Sequence, residues 1–227
     1  MTEKKAEIAR TALLELLGRV AHDLRGPAGI TSGVLDELES RAEKNGPDAS
    51  LYAMARRGLA GVLRIAERLE MVAQLETIGM HAEKSPVDFT DLVKTAVAEA
   101  AVIQKRKAIV PVLDVADGLK VEGDAHWLKA SVVEIVANAI KHAKTSVIVT
   151  ARVASGKTSL VVLDDGTGIT DDAVAFIGVP RFTRTGHKAG LGLSLSIARQ
   201  VAEAHGGSLT LARRADVPHG TRALLAL

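Results

Sequence analysis

Apolar residues recur in alternating steps of four and three at Leu13, Leu17, Val20 and Leu24, and the stripe resumes at Val34 and Leu38. A seven-residue repeat is the period of a helix packed against other helices. The same steps run through Leu51, Ala55, Gly58, Val62, Ile65, Leu69 and Val72. Between the stripes, Asn45-Gly46-Pro47-Asp48 stops the pattern, since Gly suits a helix end and Pro cannot continue a helix. Two helices on a short connection form an antiparallel hairpin. Alone, it would leave much of its apolar seam wet, so a second copy completing a four-helix bundle is expected, and with it a homodimer.

Inside the first helix lies the run from Val20 to Gly29, VAHDLRGPAG. His22 falls two residues after Val20 and two before Leu24, which points it away from the seam into water. An exposed histidine is ordinarily a solvated surface residue, and these ten residues alone do not decide otherwise. Gly26, Pro27, Gly29 and Gly33 are poor helix formers, and proline costs about 3 kcal/mol in a regular helix interior. They would either break the helix in two or bend it one turn beyond His22. The resumption of the stripe at Val34 favours the bend.

Residues 78–85 read as a linker, and the character changes after it. A helical pattern over 88–104 is followed by a strand near 109–115, a helix over 124–142 and strands over 146–153 and 159–163. A glycine-rich stretch over 165–192, a helix to Ala204 and strands over 208–213 and 221–227 complete the chain. Strands gathered with helices beside them predict an α+β sandwich. The expected organisation is a helical hairpin over 1–77 and a second domain over 86–227.

Composition narrows the function. With 29 Lys and Arg against 27 Asp and Glu, the net charge is +2, which argues against a general nucleic-acid binder. The absence of cysteine excludes disulfides and thiolate metal sites. No uninterrupted apolar run reaches the roughly 18 residues of a membrane span, and the start, MTEKKAEIAR, is unlike a signal peptide. A cytoplasmic protein is the simplest expectation.

Three segments of the second half carry candidate chemistry. In SVVEIVANAIKHA, Glu134, Asn138 and Lys141 share a helix face and His142 lies beside them. The face could simply be solvated, but asparagine is a poor choice in mid-helix on propensity alone. Its carbonyl oxygen could hold Mg²⁺, a hard ion that prefers oxygen ligands. In LVVLDDGTGI, a buried strand ends in Asp164, and Gly166 and Gly168 let the backbone turn tightly. In RFTRTGHKAGLGLSLSIARQ, Gly186, Gly190 and Gly192 lead straight into a helix, whose free first amides favour a phosphate. The pattern is neither a P-loop nor a Rossmann fingerprint.

Taken together and in this order, the motifs resemble those of the bacterial sensor histidine kinases, over essentially the whole chain. HDLRGP resembles the phosphoacceptor box, EIVANAIKHA the asparagine box, DDGTG the first glycine box, RFTR the phenylalanine region of the lid, and GLGL the second glycine box. The resemblance implies a dimeric histidine-phosphotransfer bundle followed by an ATP-binding sandwich of the type shared with gyrase and Hsp90. It implies that His22 is autophosphorylated with help from Asp23, and that an aspartate of a response-regulator receiver domain then takes the phosphoryl group. Asp164 would accept the adenine amino group, Asn138 would ligate Mg²⁺, and Lys141 and His142 would sit near the phosphates of ATP. Gly166, Gly168, Gly190 and Gly192 would shape the lid, Arg184 could neutralise the γ-phosphate and Phe182 would pack the lid. Unperturbed imidazole is largely neutral at cytoplasmic pH, as the attack requires.

The chain departs from the family pattern in places. Gly26 stands four after the histidine, where many members carry Thr or Asn to position a water, so weak or absent phosphatase activity toward the regulator is expected. Glu134 stands where many members have an asparagine, and could act as base or hold Mg²⁺ through water. Lys188 replaces a glycine often found before GLGL. No sensor domain, membrane segment or receiver domain is read beside the core, so the expectation is either a fragment of a larger protein, or a signal that arrives through another protein, such as a separate sensor or activating protein, or through a short N-terminal extension. Two rival readings are a scaffold dimer with a dead nucleotide site, and a gyrase- or Hsp90-type ATPase using Glu134. The first conflicts with the presence of Asn138, Asp164 and the lid glycines, the second with the HDLRGP segment.

Overall fold

Helix α1 (Thr2–Arg41) runs without interruption through Pro27, so the glycines and proline around it do not divide it into two helices. The Thr31 hydroxyl donates to the Pro27 carbonyl at 2.8 Å. The computed structural model describes residues 2–41, 48–77, 84–154, 156–169 and 192–227. The chain falls into two units, residues 1–79 and 80–227.

In the first unit α1 packs on α2 (Ala49–Thr77). The buried residues of the pair are mostly alanines, joined from the expected stripe by Val72. Ala21 and Ala28 are seven apart, as are Ala66 and Ala73, and all four are buried. A Cβ added to Gly18 would lie 3.4 Å from that of Ala73. Small side chains bring the backbones close, Leu17 and Leu69 are half-buried, and the remaining larger residues of the stripe named here stay outside: Val20, Leu24, Val34, Leu38, Leu51, Val62 and Ile65 are all exposed. Arg25 pairs with Glu70 at 2.6 Å, and Arg56 pairs with Asp36 at 2.6 Å and also with Glu39, in antiparallel register.

The second unit is a two-layer sandwich. Its five-stranded sheet has the order β2 (Val112–Val115), β4 (Val147–Ala154), β5 (Lys157–Asp164), β7 (Thr221–Ala226), β6 (Ser208–Arg213). β2 and β4 are parallel and the other pairs antiparallel. Helix α4 (Ala125–His142) packs against both α3 (Phe89–Ile103) and α5 (Leu193–Ala204). Helical Leu128, Val132, Val136, Ile140 and Ile197 and strand residues Val147, Val149, Leu160, Val162 and Leu225 are fully buried, an aliphatic core with few aromatics. The N-caps of α3 and α4 are Asp88 and Asp124, whose carboxylates accept from backbone amides of the first turn. Two strands of four residues, β1 (Ser85–Asp88) and β3 (Lys120–Gly123), pair antiparallel as a small second sheet. Neither was expected, and β1 begins where the linker was read to end.

Candidate functional site

β5 lies between β4 and β7, which carries Asp164 to the end of the sheet beside the C-terminus of α4. The contact there is close. A Cβ on Gly166 would stand 2.4 Å from the His142 carbonyl oxygen, so only glycine lets the chain after β5 press against the end of α4. Gly168 has φ +80°, and a Cβ on it would lie 3.1 Å from the Gly220 carbonyl oxygen. The glycines of DDGTG therefore place Asp164 next to the helix that bears Asn138 and His142. Asp164 is 5% exposed, and its Oδ1 accepts from the amides of Gly166 at 2.8 Å and Thr221 at 3.3 Å. Among the described residues both contacts fall on Oδ1.

On α4, Glu134 is buried, Asn138 half-buried, and Lys141 and His142 exposed. A buried Glu134 is not part of a merely solvated face, because burying a carboxylate costs free energy unless polar partners compensate. Desolvation lowers the His142 pKa, and the nearby charges of Lys141 and Lys107 lower it further while Asp164 opposes them. The imidazole is thus held neutral near pH 7. Lys107 Nζ donates to the carbonyl of Ala143 at 3.0 Å, a cation at the end of α4 where the helix dipole favours one.

Two residues that shape the site were not singled out from sequence. Asp165 accepts from the amides of Lys144 at 2.8 Å, Thr145 at 3.0 Å and Ser146 at 3.1 Å, and from the Thr145 hydroxyl at 2.5 Å. Burial opposes its ionisation, but these hydrogen bonds outweigh it and hold the carboxyl well below its ordinary range. Arg214, in the β6–β7 turn, donates from Nη1 to the Asp164 backbone carbonyl at 3.3 Å. Nothing in the local sequence marks either role, because their partners lie 19 to 50 residues away.

Helix α5 begins at Gly192, which has φ +71° and provides no side-chain cap for the first amides. Phe182, Arg184, Gly186, Lys188 and Gly190 lie outside the described residues. In the first unit the side chains of His22 and Asp23 are 80% and 83% exposed, with His22 Nδ1 3.5 Å from Asp23 Oδ1. They border a cleft of about 440 Å³ between α1 and α2, which Gly18, Glu70 and Ala73 also line. A Cβ on Gly26 would meet nothing within 4 Å.

Residues 123–227 match the family described as histidine kinase-, DNA gyrase B-, and HSP90-like ATPase. The probable sensor histidine kinase TcrY of Mycobacterium tuberculosis is 31% identical over 218 residues, covering 90% of this chain and 44% of TcrY. The sensor-like histidine kinase SenX3 of Mycolicibacterium smegmatis is 28% identical, covering 87% of this chain and 53% of SenX3. The chain thus spans about half the length of these curated relatives. Among solved structures, full-length ShkA in complex with AMPPNP superposes with a TM-score of 0.72 at 22% identity, covering 93% of this chain and 45% of that one. The mycobacterial sensor histidine kinase MprB superposes with a TM-score of 0.56 at 28% identity, covering 63% of this chain and 97% of that one.

Proposed function

Because the chain belongs to the bacterial sensor histidine kinases, whose catalytic core it carries, we propose that it autophosphorylates His22 from ATP and passes the phosphoryl group to an aspartate of a response-regulator receiver domain. The observation that carries this reading is the convergence of Asp164, fixed through one oxygen, with the end of α4 that bears Asn138, Lys141 and His142. Residues 1–77 would serve dimerisation and phosphotransfer, 78–85 the link and 86–227 nucleotide binding.

The second oxygen of Asp164, which has no hydrogen bond among the described residues, suits the amino group of adenine, a donor that guanine and hypoxanthine do not offer at that position. Lys141 and the neutral His142 lie along the same helix end for the phosphates, and the uncapped amides of α5 suit an anion. The lid, with Gly166, Gly168, Gly190 and Gly192, would close over ATP, and Arg184 would neutralise γ-phosphate charge. The donor set fits Mg²⁺ brought in with the nucleotide. Asn138 offers one amide oxygen, and Mg²⁺ keeps several waters and takes phosphate oxygens. When bound, it neutralises charge on the transferring group. Glu134 would hold the ion's water or accept a proton.

At the acceptor, the lone pair of His22 Nε2 forms the N–P bond to the γ-phosphorus as its bond to the bridging oxygen breaks, leaving ADP. Asp23 stands on the Nδ1 side, placed to share the proton there as positive charge develops on the ring. With glycine at position 26 and open space around it, nothing there orients a hydrolytic water, so phosphatase activity toward the regulator is weak or absent. The exposed Leu and Val stripe supports a homodimer, a separate sensor or activating protein would supply the signal, and the cytoplasm supplies ATP and receiver domains.

The test is incubation of the full chain with Mg²⁺ and γ-labelled ATP. The expected result is acid-labile, alkali-stable label on the wild type, lost in His22→Gln and slowed in Glu134→Ala. Released phosphate without labelled protein, or rapid dephosphorylation of a phosphorylated cognate receiver, would overturn the corresponding part of the reading.

A further inference from the structure

The guanidinium of Arg214 sits behind the carboxylate read above as the base-selecting group. Its side chain is 9% exposed. Nη1 donates to the Asp164 carbonyl, while Nε donates to Asp216 Oδ1 at 3.0 Å and Nη2 pairs with the other oxygen of Asp216. Arg214 also closes its own turn, with its amide donating to the Gly220 carbonyl at 3.1 Å. The next residue, Thr221, supplies the second amide on Asp164 Oδ1.

The β6–β7 turn and the start of β7 therefore hold Asp164 at two places, the backbone carbonyl through Arg214 and the side chain through the amide of Thr221, the first residue of β7. The approach is tight, since a Cβ on Gly220 would lie 2.2 Å from the Asp164 carbonyl oxygen. Of the two bonds to Oδ1, the one from Gly166 is short and local, whereas the one from Thr221 is 3.3 Å and spans 57 residues. The longer bond comes from the residue where β7 leaves the turn, so its length depends on how the turn and the start of β7 sit against the end of β5. Arg214 is the charged side chain that docks the turn, and its fork meets Asp164 and Asp216 at once, as a lysine could not. The Asp216 hydrogen bond first, against the opposing effect of burial, and then the charges of Asp216, Asp164 and Asp165 raise the pKa of this guanidinium above its ordinary value.

We infer that Arg214 is a positioning residue for nucleotide-base discrimination: anchored by Asp216, it holds the β6–β7 turn on Asp164 and so fixes the carboxylate oxygen that reads the base. The inference rests on the assignment of Asp164 to adenine. No proton or bond changes hands at Arg214, which acts through Asp164.

The experiment measures ADP and IDP binding by calorimetry on the full chain, with melting curves alongside. IDP carries a carbonyl oxygen where ADP carries the amino group, so it reports binding without the Asp164 contact. In Arg214→Met, ADP affinity should fall about three- to tenfold, the scale of one weakened hydrogen bond to a charged group, with IDP affinity unchanged. Asp216→Ala, a change at an exposed residue, should lower the ADP preference in the same sense by about twofold to threefold. Arg214→Lys should restore part of it. An unchanged preference in Arg214→Met, or ADP and IDP affinities falling together, would overturn the inference. If Arg214→Met does not fold, an unchanged preference in Asp216→Ala overturns it. A wild type that binds ADP and IDP equally would instead overturn the assignment of Asp164 itself.

Discussion

Asp164 and Asp165 are adjacent carboxylates with different work. Asp165 collects amides and a hydroxyl from residues 144–146 and ties the loop after α4 to the end of β5. Those donors favour the charged form, so its folded pKa lies below the ordinary 3.8 of the unfolded chain. A depressed carboxylate contributes stability that is fully present above the unfolded value and is lost as pH falls from there through the folded one. Asp165→Asn should therefore unfold at lower urea than the wild type at pH 7, with the gap narrowing as pH drops below about 4. Parallel urea titrations at the two pH values check this, and a constant gap would count against it. The DDGTG run was legible as a turn with a terminal aspartate. What the second aspartate does was not, because its donors approach from a loop some twenty residues earlier in the chain.

At the scale of elements, helix α4 owes its start to one side chain. Asp124 Oδ1 accepts from the amides of His126 at 2.9 Å and Trp127 at 3.3 Å, while the Asp124 amide donates to His205 Nε2 at 3.0 Å. The substitution Asp124→Ala removes the first two bonds and leaves the backbone bond to His205. It should cost about 1 kcal/mol, the usual worth of an N-cap, and act on the second unit because α4 lies in its core. Denaturant unfolding followed at Trp127 reads this directly; an unchanged midpoint would show that the cap is not limiting. Long elements such as α3 and α4 were legible to within a residue or two, since each combines a capping aspartate with a sustained apolar period. β1 and β3 were not, because four residues such as Ser85–Asp88 or Lys120–Gly123 carry no periodicity and are strands only through each other. The hairpin was legible as a pair of helices but not in its inner face. Alanine at 21, 28, 66 and 73 gives a weak hydrophobic signal, and of the stronger leucine and valine signal Val72 is buried while Val20, Leu24, Val34, Leu38, Leu51 and Val62 lie on a surface that the two helices do not bury together.

At the scale of the whole molecule, that surface is the one on which the proposed homodimer rests. Leu24, Val34 and Leu38 on α1 and Leu51, Val62 and Ile65 on α2 are each at least 39% exposed, far more apolar area than a monomeric hairpin needs to leave in water. Among the described residues no helix is long and apolar enough to cross a membrane. The proposed second copy would account for the exposure, because a two-fold interface uses the same patch twice and returns each side chain to an apolar neighbour. Burying one such side chain is worth about 1.5–3 kcal/mol, and symmetry doubles the effect of any single change. Leu38→Glu should then weaken association by at least about a hundredfold, shifting a micromolar sample from dimer to monomer in sedimentation equilibrium. Residues 80–227 form a separate unit, so nucleotide binding should survive the change while the oligomeric state does not. A wild type that sediments as a monomer, or a Leu38→Glu chain that remains dimeric, would mean that some other partner covers this face.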